Sequence, residues 1–189
     1  MFFVETRLEG VRLIELEPRT DERGFFARTW CREEFGVAGL DTNLAQQSLS
    51  HTRIRGTMRG LHCQRPPLEE IKLVRCVRGA IFDVVVDIRP HSPTYLHWQG
   101  FDLSANNHRA IYIPGGFAHG FQTLVDETDV LYDISVPYVA EAAEGYRFDD
   151  ACLAIDWPLP VTIISDRDRS WPLIPNPHAD RHRHPTDRV

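Results

Sequence analysis

A succession of short β-type segments, separated by turn sequences, fills most of this 189-residue chain. From Leu44 onward these segments recur about every ten residues, and the last is VLYDISV at 130–136. The sequences between them are typical of turns, as in RPHSP at 89–93, SANN at 104–107 and PGG at 114–116. Long helical periodicity and internal repeats of about 20–50 residues are missing, which argues against propellers and solenoids. The pattern predicts an antiparallel β-sandwich or barrel with a few short helices.

The two ends of the chain differ from this β-rich centre. VRLIEL at 11–16 alternates apolar and polar residues, as a half-buried strand does. CREEFGVAG at 31–39 predicts a short helix that ends at a glycine. After Pro137 the alternation weakens, and residues 176–189 are dominated by polar residues, histidine and proline. We expect a single domain over residues 1–175, followed by a flexible tail at 176–189.

Composition argues against several classes of partner and site. A net charge of −6 disfavours nucleic acid, because phosphate binding needs a basic surface. No apolar run approaches the roughly 18 residues of a membrane span, and the N-terminus has no signal-peptide layout. The four cysteines form no CxxC pair, so zinc is not indicated and a reducing, cytoplasmic location is expected.

The stretch Gly56–Lys72 concentrates chemically active side chains, since it contains Arg59, His62 and Lys72. Lys72 is the only lysine in the chain, and every other residue in the Lys+Arg count of 21 is an arginine. A lysine ammonium is a compact charge that responds to its surroundings, whereas a guanidinium stays protonated. The single lysine is therefore either a chance survivor in an arginine-rich composition or a group kept for chemistry that arginine cannot perform.

Two short segments resemble the two motifs of the cupin jelly-roll superfamily. The first contains His62 and Gln64 and extends to Lys72, and the second is PGGFAH, which ends at His119. In metal-binding cupins the positions of Gln64 and Lys72 hold a histidine ligand and a glutamate ligand. A cation at a ligand position repels a divalent metal. The resemblance therefore implies a cupin pocket with an ammonium where the metal would be, and neither a metal nor a cofactor is expected.

A larger set of motifs resembles the dTDP-4-dehydrorhamnose 3,5-epimerase family. The match covers about residues 1–172, and its motifs include DERGFF (21–26), RGLHCQ (59–64), FDVVVDIR (82–89) with SPT (92–94), IPGGFAHGF (113–121) and ISDRD (164–168). The resemblance implies a homodimeric, metal-independent jelly roll that acts on a nucleotide-linked 4-keto-6-deoxyhexose in deoxysugar biosynthesis. The reaction inverts one or both of the carbons beside the keto group.

The resemblance also implies catalytic roles for four residues. His62 is the base that removes a proton beside the ketone, and Asp168 orients its ring. Lys72 stabilises the negative charge that develops on the C4 oxygen, and Tyr132 returns a proton from the opposite face. Taken singly, without the motifs, His62, Tyr132 and Asp168 would be read as a structural histidine, a core tyrosine and a turn cap.

Six further residues match positions that the family uses to bind the substrate. Arg59 is expected to pair with a phosphate, and His119 to line the pocket near the sugar. Arg23, Gln47 and Tyr138 are expected around the nucleotide, and Phe26 is a further substrate-binding candidate.

Two departures from the family pattern leave the nucleotide open. Gln47 is followed by Ser48 and Leu49, so the asparagine of the family's Gln-x-Asn is absent, and Arg28 replaces a glutamate. A site that hydrogen-bonds one base discriminates against others. The sequence therefore leaves dTDP, CDP and GDP sugars as alternatives, with epimerisation at C3, at C5 or at both.

Other functions fit the same pocket. A metal-dependent cupin enzyme would use His62 and His119, with Glu69 or Glu70 as a third ligand. A 3,4-ketoisomerase would move the keto group without changing any configuration. A sugar-nucleotide binding module would keep the pocket without the chemistry.

Overall fold

The computed structural model describes residues 1–175, so the tail predicted at 176–189 lies outside the described residues. Strands predominate in the described range, as the sequence predicts, and the helices are short. The strands are β1 (Phe2–Glu5), β2 (Arg12–Glu15), β3 (Arg19–Asp21), β4 (Gly24–Phe26), β5 (Gln46–Thr52), β6 (Met58–Gln64), β7 (Lys72–Arg78), β8 (Ala80–Asp87), β9 (Trp98–Ser104), β10 (Ala110–Ile113), β11 (Phe117–Thr123), β12 (Thr128–Ile134) and β13 (Ala143–Gly145). The helices are α1 (Arg32–Val37) and α2 (Asp166–Arg169).

Two antiparallel sheets form the body of the fold. One has six strands in the order β1-β2-β10-β7-β12-β5, and the other has five in the order β13-β6-β11-β8-β9. Strands β3 and β4 form a separate two-stranded hairpin. From β6 to β8, and again from β9 to β12, successive strands alternate between the two sheets. This connectivity is that of a jelly roll, so the predicted all-β sandwich is confirmed.

The main core lies between the two sheets. Side chains alternate along a strand, so every second residue of an inner face points into this layer. The six-stranded sheet contributes Val74 and Ile111, and the five-stranded sheet contributes Val85 and Phe121, all fully buried. Removing this apolar surface from water is the main force that holds the sheets together.

Additional layers cover parts of the outer faces. Helix α1 places Phe35 against Leu73 and Tyr112 of the six-stranded sheet. The chain after β13 packs Leu153 and Trp157 on the outer face of the five-stranded sheet. That second layer brings the end of the described chain back beside β6, where α2 lies.

No helix within residues 1–175 is long and apolar enough to cross a membrane. All four cysteines are free thiols. The cytoplasmic location expected from them stays a prediction.

Candidate active site

The two motif histidines lie side by side on paired strands. His62 of β6 and His119 of β11 are cross-strand partners. The strands approach closely here, because Gly60 adopts φ +115° and a Cβ atom built on it would lie 2.6 Å from the Cα of Gly120. Only glycine fits such a position, which explains the glycine that precedes the histidine by two residues. The pairing brings the RGLH and GFAHGF motifs, distant in sequence, to one place.

A cavity between the two sheets is lined from both sides. Its wall contains most of the predicted site residues: Arg59, His62, Lys72, His119, Tyr132 and Tyr138. An adjoining cavity shares Arg59, His62 and Tyr132 with the first and adds Asp168. The structure thus brings together the four residues predicted to be catalytic and three of the six predicted to bind substrate.

His62 is paired with Asp168, which lies 106 residues further along the chain. The Nε2 of His62 is 2.6 Å from Oδ1 of Asp168. The returning segment is anchored on β6, because the N–H of Met58 donates to the carbonyl of Ile163 at 2.8 Å. Ser165 then caps α2 by accepting from the N–H of Asp168 at 3.0 Å. The side chain of His62 is 45% exposed and that of Asp168 only 7%, so the imidazole reaches the cavity while its partner is shielded.

The surroundings of Asp168 favour its ionised form. Burial alone would raise the pKa of Asp168, but hydrogen bonds from His62 and from the N–H of Gly60 outweigh burial and lower it below its usual range. An ionised carboxylate accepts the Nε2 proton of His62, which fixes the tautomer of the ring. Nδ1 is then the ring nitrogen that can take up a proton.

Lys72 reaches from β7 in one sheet to β6 in the other. Its Nζ donates to the backbone carbonyl of His62 at 3.2 Å and lies 2.7 Å from Oε1 of Glu70. The lysine side chain is 7% exposed. A fixed, shielded ammonium beside the candidate base is suited to stabilising a developing oxyanion.

Tyr132 enters the cavity from β12 in the six-stranded sheet. Its ring packs edge-to-face on His119, with centroids 5.9 Å apart. Burial and the negative charge of Asp83 raise the pKa of the Tyr132 phenol well above its usual range, although Arg59 acts in the opposite direction. The phenol therefore stays protonated near neutral pH and is suited to donate a proton rather than to remove one.

His119 is held by a second carboxylate, Asp83 of β8. The Nε2 of His119 is 2.7 Å from Oδ2 of Asp83, and both side chains are buried, with exposures of 4% and 0%. Asp83 Oδ1 is a buried atom with no hydrogen-bond partner among the described residues. His119 lines the cavity opposite Tyr132, and Asp83 supports it from within the five-stranded sheet.

Arginines frame the mouth of the cavity. Arg59 is exposed, and its guanidinium is oriented by bonds to Thr52 Oγ1 at 3.0 Å and to the carbonyl of His51 at 3.1 Å. Arg167 lines both cavities and donates to the hydroxyl of Tyr138 at 3.2 Å. The sequence analysis missed Arg167, although its place directly before Asp168 is a local signal for it.

Gln47 does not line this cavity in the single chain, and its predicted contact with the nucleotide stays a prediction. Its side chain donates to Asp133 at 2.6 Å. Gln47 and Asp133 are cross-strand partners, and so are Ser48 and Tyr132. Because side chains alternate along β5, the residues that share the face of Tyr132 are Gln46, Ser48 and Ser50.

Two further substrate-binding candidates, Arg23 and Phe26, do not line this cavity in the single chain, whereas Tyr138 does. Arg23 is on the β3–β4 hairpin, exposed and paired with Asp21. Phe26 ends the same hairpin and is 77% exposed. Arg28 pairs with Glu34 of α1 at 2.6 Å and does not line this cavity in the single chain. An aromatic side chain this exposed on a short hairpin is suited to contact another molecule.

The former metal-ligand position is occupied by a structural amide. Gln64 donates to the carbonyl of Leu68 at 3.2 Å and accepts from the N–H of Val139 at 2.7 Å. Among residues 1–175, no group of three or more His, Cys, Asp or Glu side chains is arranged to hold a metal ion.

Comparison with known proteins identifies the family. A family profile described as dTDP-4-dehydrorhamnose 3,5-epimerase matches residues 5–176. A dTDP-4-dehydrorhamnose 3,5-epimerase from Methanothermobacter thermautotrophicus is 46% identical over 179 residues, which cover 93% of this chain and 96% of the relative. The chain belongs to the dTDP-4-dehydrorhamnose 3,5-epimerase family. It is therefore a member of a family of carbohydrate epimerases, which are isomerases.

Other members of the epimerase family agree in fold and extend the range of named activities. The crystal structure of a dTDP-4-dehydrorhamnose 3,5-epimerase from Bacillus anthracis with TDP and PPi bound has a TM-score of 0.89 and 40% identity, covering 92% of this chain and 99% of that one. A dTDP-4-dehydrorhamnose 3-epimerase from Streptomyces niveus is 42% identical over 163 residues, which cover 86% of this chain and 78% of the relative. The resemblance read from the motifs is confirmed.

Proposed function

We propose that this epimerase-family chain inverts carbons beside the keto group of a dTDP-linked 4-keto-6-deoxyhexose in deoxysugar biosynthesis. The observation that carries the proposal is one cavity whose walls hold a carboxylate-paired histidine, a buried ammonium and a protonated phenol. These are the groups that proton removal and return beside a ketone require. The protein needs no cofactor for these steps, since each is a proton transfer.

His62 acts as the base in this mechanism. It removes the proton from the carbon beside the ketone, and the negative charge of Asp168 stabilises the imidazolium that forms. The pairing at 2.6 Å holds the ring with its other nitrogen available.

Lys72 stabilises the intermediate. Removing the proton moves electron density onto the C4 oxygen and produces an enolate, whose charge needs a fixed cation nearby. The Nζ of Lys72 is held against the backbone of His62, so base and cation act on neighbouring atoms of the sugar.

Tyr132 completes inversion by donating a proton to the opposite face. A base that acts alone tends to return the proton to the face from which it came. Tyr132 stands on β12 in the six-stranded sheet, whereas His62 stands on β6 in the other sheet. A sugar bound between the sheets would have the base on one side and the acid on the other.

Arg59 and Arg167 at the cavity mouth would bind the diphosphate by paired hydrogen bonds. We favour dTDP as the nucleotide because the relatives are named for dTDP sugars and one structure contains TDP. The relatives' names include two outcomes, which are inversion at C3 alone and inversion at both C3 and C5.

A second copy of the chain would supply the residues that the cavity lacks. The β3–β4 hairpin carries Arg23 and the exposed Phe26, which the family resemblance assigns to substrate binding. We propose a homodimer in which this hairpin reaches the partner's cavity. Light scattering should give twice the mass of the chain, and Phe26→Ala should raise KM more than it lowers kcat. A monomer that retains full activity would contradict the dimer.

Solvent deuterium incorporation tests the reaction. The protein is incubated in D2O with dTDP-4-keto-6-deoxyglucose and a chelator, and deuterium at C3 and C5 is followed by NMR. We expect exchange at C3, at C5 or at both, and the CDP and GDP sugars should react more slowly. Absence of exchange with every nucleotide form, or keto migration from C4 to C3 without inversion, would contradict the proposal.

Tyr132→Phe separates the acid from the base. The phenol is needed for protonation on the opposite face but not for proton removal. The variant should therefore lose inversion while it retains measurable deuterium exchange, whereas His62→Asn should lose both. Equal loss of exchange and inversion in the two variants would contradict these roles.

A further inference from the structure

Glu70 is a carboxylate in direct contact with the candidate oxyanion cation, and the mechanism above gives it no role. Its Oε1 is 2.7 Å from the Nζ of Lys72. The side chains are 10% and 7% exposed, and both line the same cavity. A buried ion pair inside a proposed catalytic cavity calls for a functional explanation.

The local backbone turns Glu70 and Lys72 to the same side. Ile71 between them packs into the outer cluster around Phe35. Its N–H donates to Ser135 Oγ at 2.9 Å, and its carbonyl accepts from the N–H of Ser135 at 3.1 Å. Because Ile71 is fixed outward, strand alternation places residues 70 and 72 toward the cavity.

No other ionisable group among the described residues near Lys72 provides the negative charge that Glu70 places in contact with it. Burial raises the pKa of the Cys63 thiol to about 12, so that group is neutral. Glu144 of β13 also lines the cavity, but it makes no ion pair with Lys72 in the described part of the chain. His62 offers only its neutral backbone carbonyl. Glu70 is the charged partner in contact.

A lysine in this environment needs such a partner. Burying an unpaired ammonium is costly, and the group loses its proton instead. The four-carbon stem of lysine is also flexible, so one neutral hydrogen bond fixes it poorly. A buried carboxylate supplies the missing charge and the second anchor.

We propose that Glu70 is a positioning residue that keeps the Lys72 ammonium charged and directed at the keto oxygen of the substrate. The catalytic half of this inference rests on the proposed function, whereas the effect of Glu70 on the protonation of Lys72 does not. The two halves can therefore be tested separately.

The first test observes Lys72 directly by NMR, which is possible because Lys72 is the only lysine in the chain. Protein labelled with 13Cε-lysine gives one lysine resonance, whose chemical shift is followed against pH without substrate. In Glu70→Gln we expect the pH dependence of this resonance to differ from that of the wild type, because the ammonium has lost its only charged contact among the described residues. The matched control is Glu69→Gln, which removes the adjacent exposed carboxylate and should titrate as the wild type does. Identical titrations in all three proteins would overturn the proposal.

The second test measures catalysis with the 4-keto sugar. A charge that acts on the enolate is felt in the transition state, so Glu70→Gln should lower kcat about tenfold or more with KM little changed. Glu69→Gln should retain wild-type kcat. An unchanged or increased kcat in Glu70→Gln would overturn the positioning role, even if the resonance shifts.

Glu70→Asp keeps the test decisive if Glu70→Gln does not fold. The aspartate retains the charge but withdraws it from Nζ, so its lysine resonance should titrate between those of the wild type and an unpaired lysine. Its kcat should be reduced, with KM near the wild-type value. Wild-type titration together with wild-type kcat in Glu70→Asp would overturn the proposal, and failure of the wild type to epimerise would count against the proposed function alone.

Discussion

Two histidine–aspartate pairs stand next to each other in this protein and differ in almost everything except the length of their hydrogen bonds. His62 and Asp168 are 2.6 Å apart, and His119 and Asp83 are 2.7 Å apart. The first histidine is 45% exposed and lies against the cavity, whereas the second is 4% exposed. The same two residue types therefore form a reachable base in one place and a buried support in the other.

The origin of each aspartate explains the difference. Asp83 lies on β8, which pairs directly with the strand of His119, so that pair is built inside one sheet. Asp168 arrives on α2 from outside the sheet and binds His62 from the rim. A carboxylate that approaches from the rim can orient an imidazole without enclosing it. The comparison predicts that damage to the first pair reduces activity and that damage to the second reduces stability.

The largest effect is expected for His62→Asn. Removing the base should lower kcat/KM by about 10³- to 10⁴-fold, and the free energy of unfolding should change little, because the ring is half exposed. Steady-state epimerisation and urea denaturation measure the two quantities. The control is His91→Asn in the exposed turn after β8, which should match the wild type in both. A large loss of stability in His62→Asn would remove the distinction between the pairs.

The next largest effect is expected for Asp168→Asn. The amide can no longer stabilise the imidazolium, so kcat should fall by about 10²- to 10³-fold with a small change in KM. Asp166→Asn, in the same helix and exposed, is the matched control and should keep wild-type kcat. If both variants lost activity equally, disruption of α2 rather than the loss of the pair would be the cause.

A different outcome is expected for Asp83→Asn. This change leaves the buried His119 with a weaker partner and should lower the free energy of unfolding by about 1–3 kcal/mol. The loss of kcat should be less than that of Asp168→Asn, because Asp83 supports the wall and does not face the base. Urea denaturation and steady-state kinetics of the two aspartate variants decide the point. A greater loss of kcat in Asp83→Asn than in Asp168→Asn would reverse the comparison.

The smallest effect on activity is expected for Asp87→Asn, at the end of β8. Burial opposes ionisation of this carboxyl, but hydrogen bonds from Arg89, Ser92 and Thr94 lower the pKa of Asp87 from 3.8 to about 2. A lowered pKa in the folded state stabilises the fold above the unfolded value, and the contribution disappears as the pH falls from about 4 to 2. The shift corresponds to about 2 kcal/mol near neutral pH.

Denaturation at several pH values tests this prediction. The difference between the wild type and Asp87→Asn should be largest near pH 7 and shrink toward pH 2. Asp156→Asn, which removes an exposed carboxyl, should show no such trend. A difference that stays constant with pH would contradict the assignment to Asp87.

Much of the fold could be predicted because its causes are local. The spacing of β segments and turns indicated the sandwich, and VRLIEL and CREEFGVAG indicated β2 and α1. The motifs also identified the chemical groups of the site, and the cavity contains His62, Lys72 and Tyr132 as expected. The variants above test whether these residues perform the predicted steps.

Strand β5 shows where local information ends. Gln46 and Gln47 are neighbours in the chain, and only the pairing of β5 with β12 decides that Ser48 lies opposite Tyr132 while Gln47 lies opposite Asp133. A shift of one residue moves a strand's side chains to the opposite face of the sheet. The sequence does not show which face of the sheet each side chain of β5 occupies, because hydrogen bonds to a distant strand set it.

The sequence by itself determined the β-rich architecture, the family and the kinds of groups that the site contains, including its single lysine. The motifs also implied that Asp168 orients His62, and the structure shows the two paired across 106 residues. The tertiary structure alone decided that His119 is buried while His62 is half exposed, and that Glu70 faces Lys72. The physical reason is that patterning and turn chemistry act between near neighbours in the chain. Exposure, strand phase and ion pairing depend on which distant segments pack together.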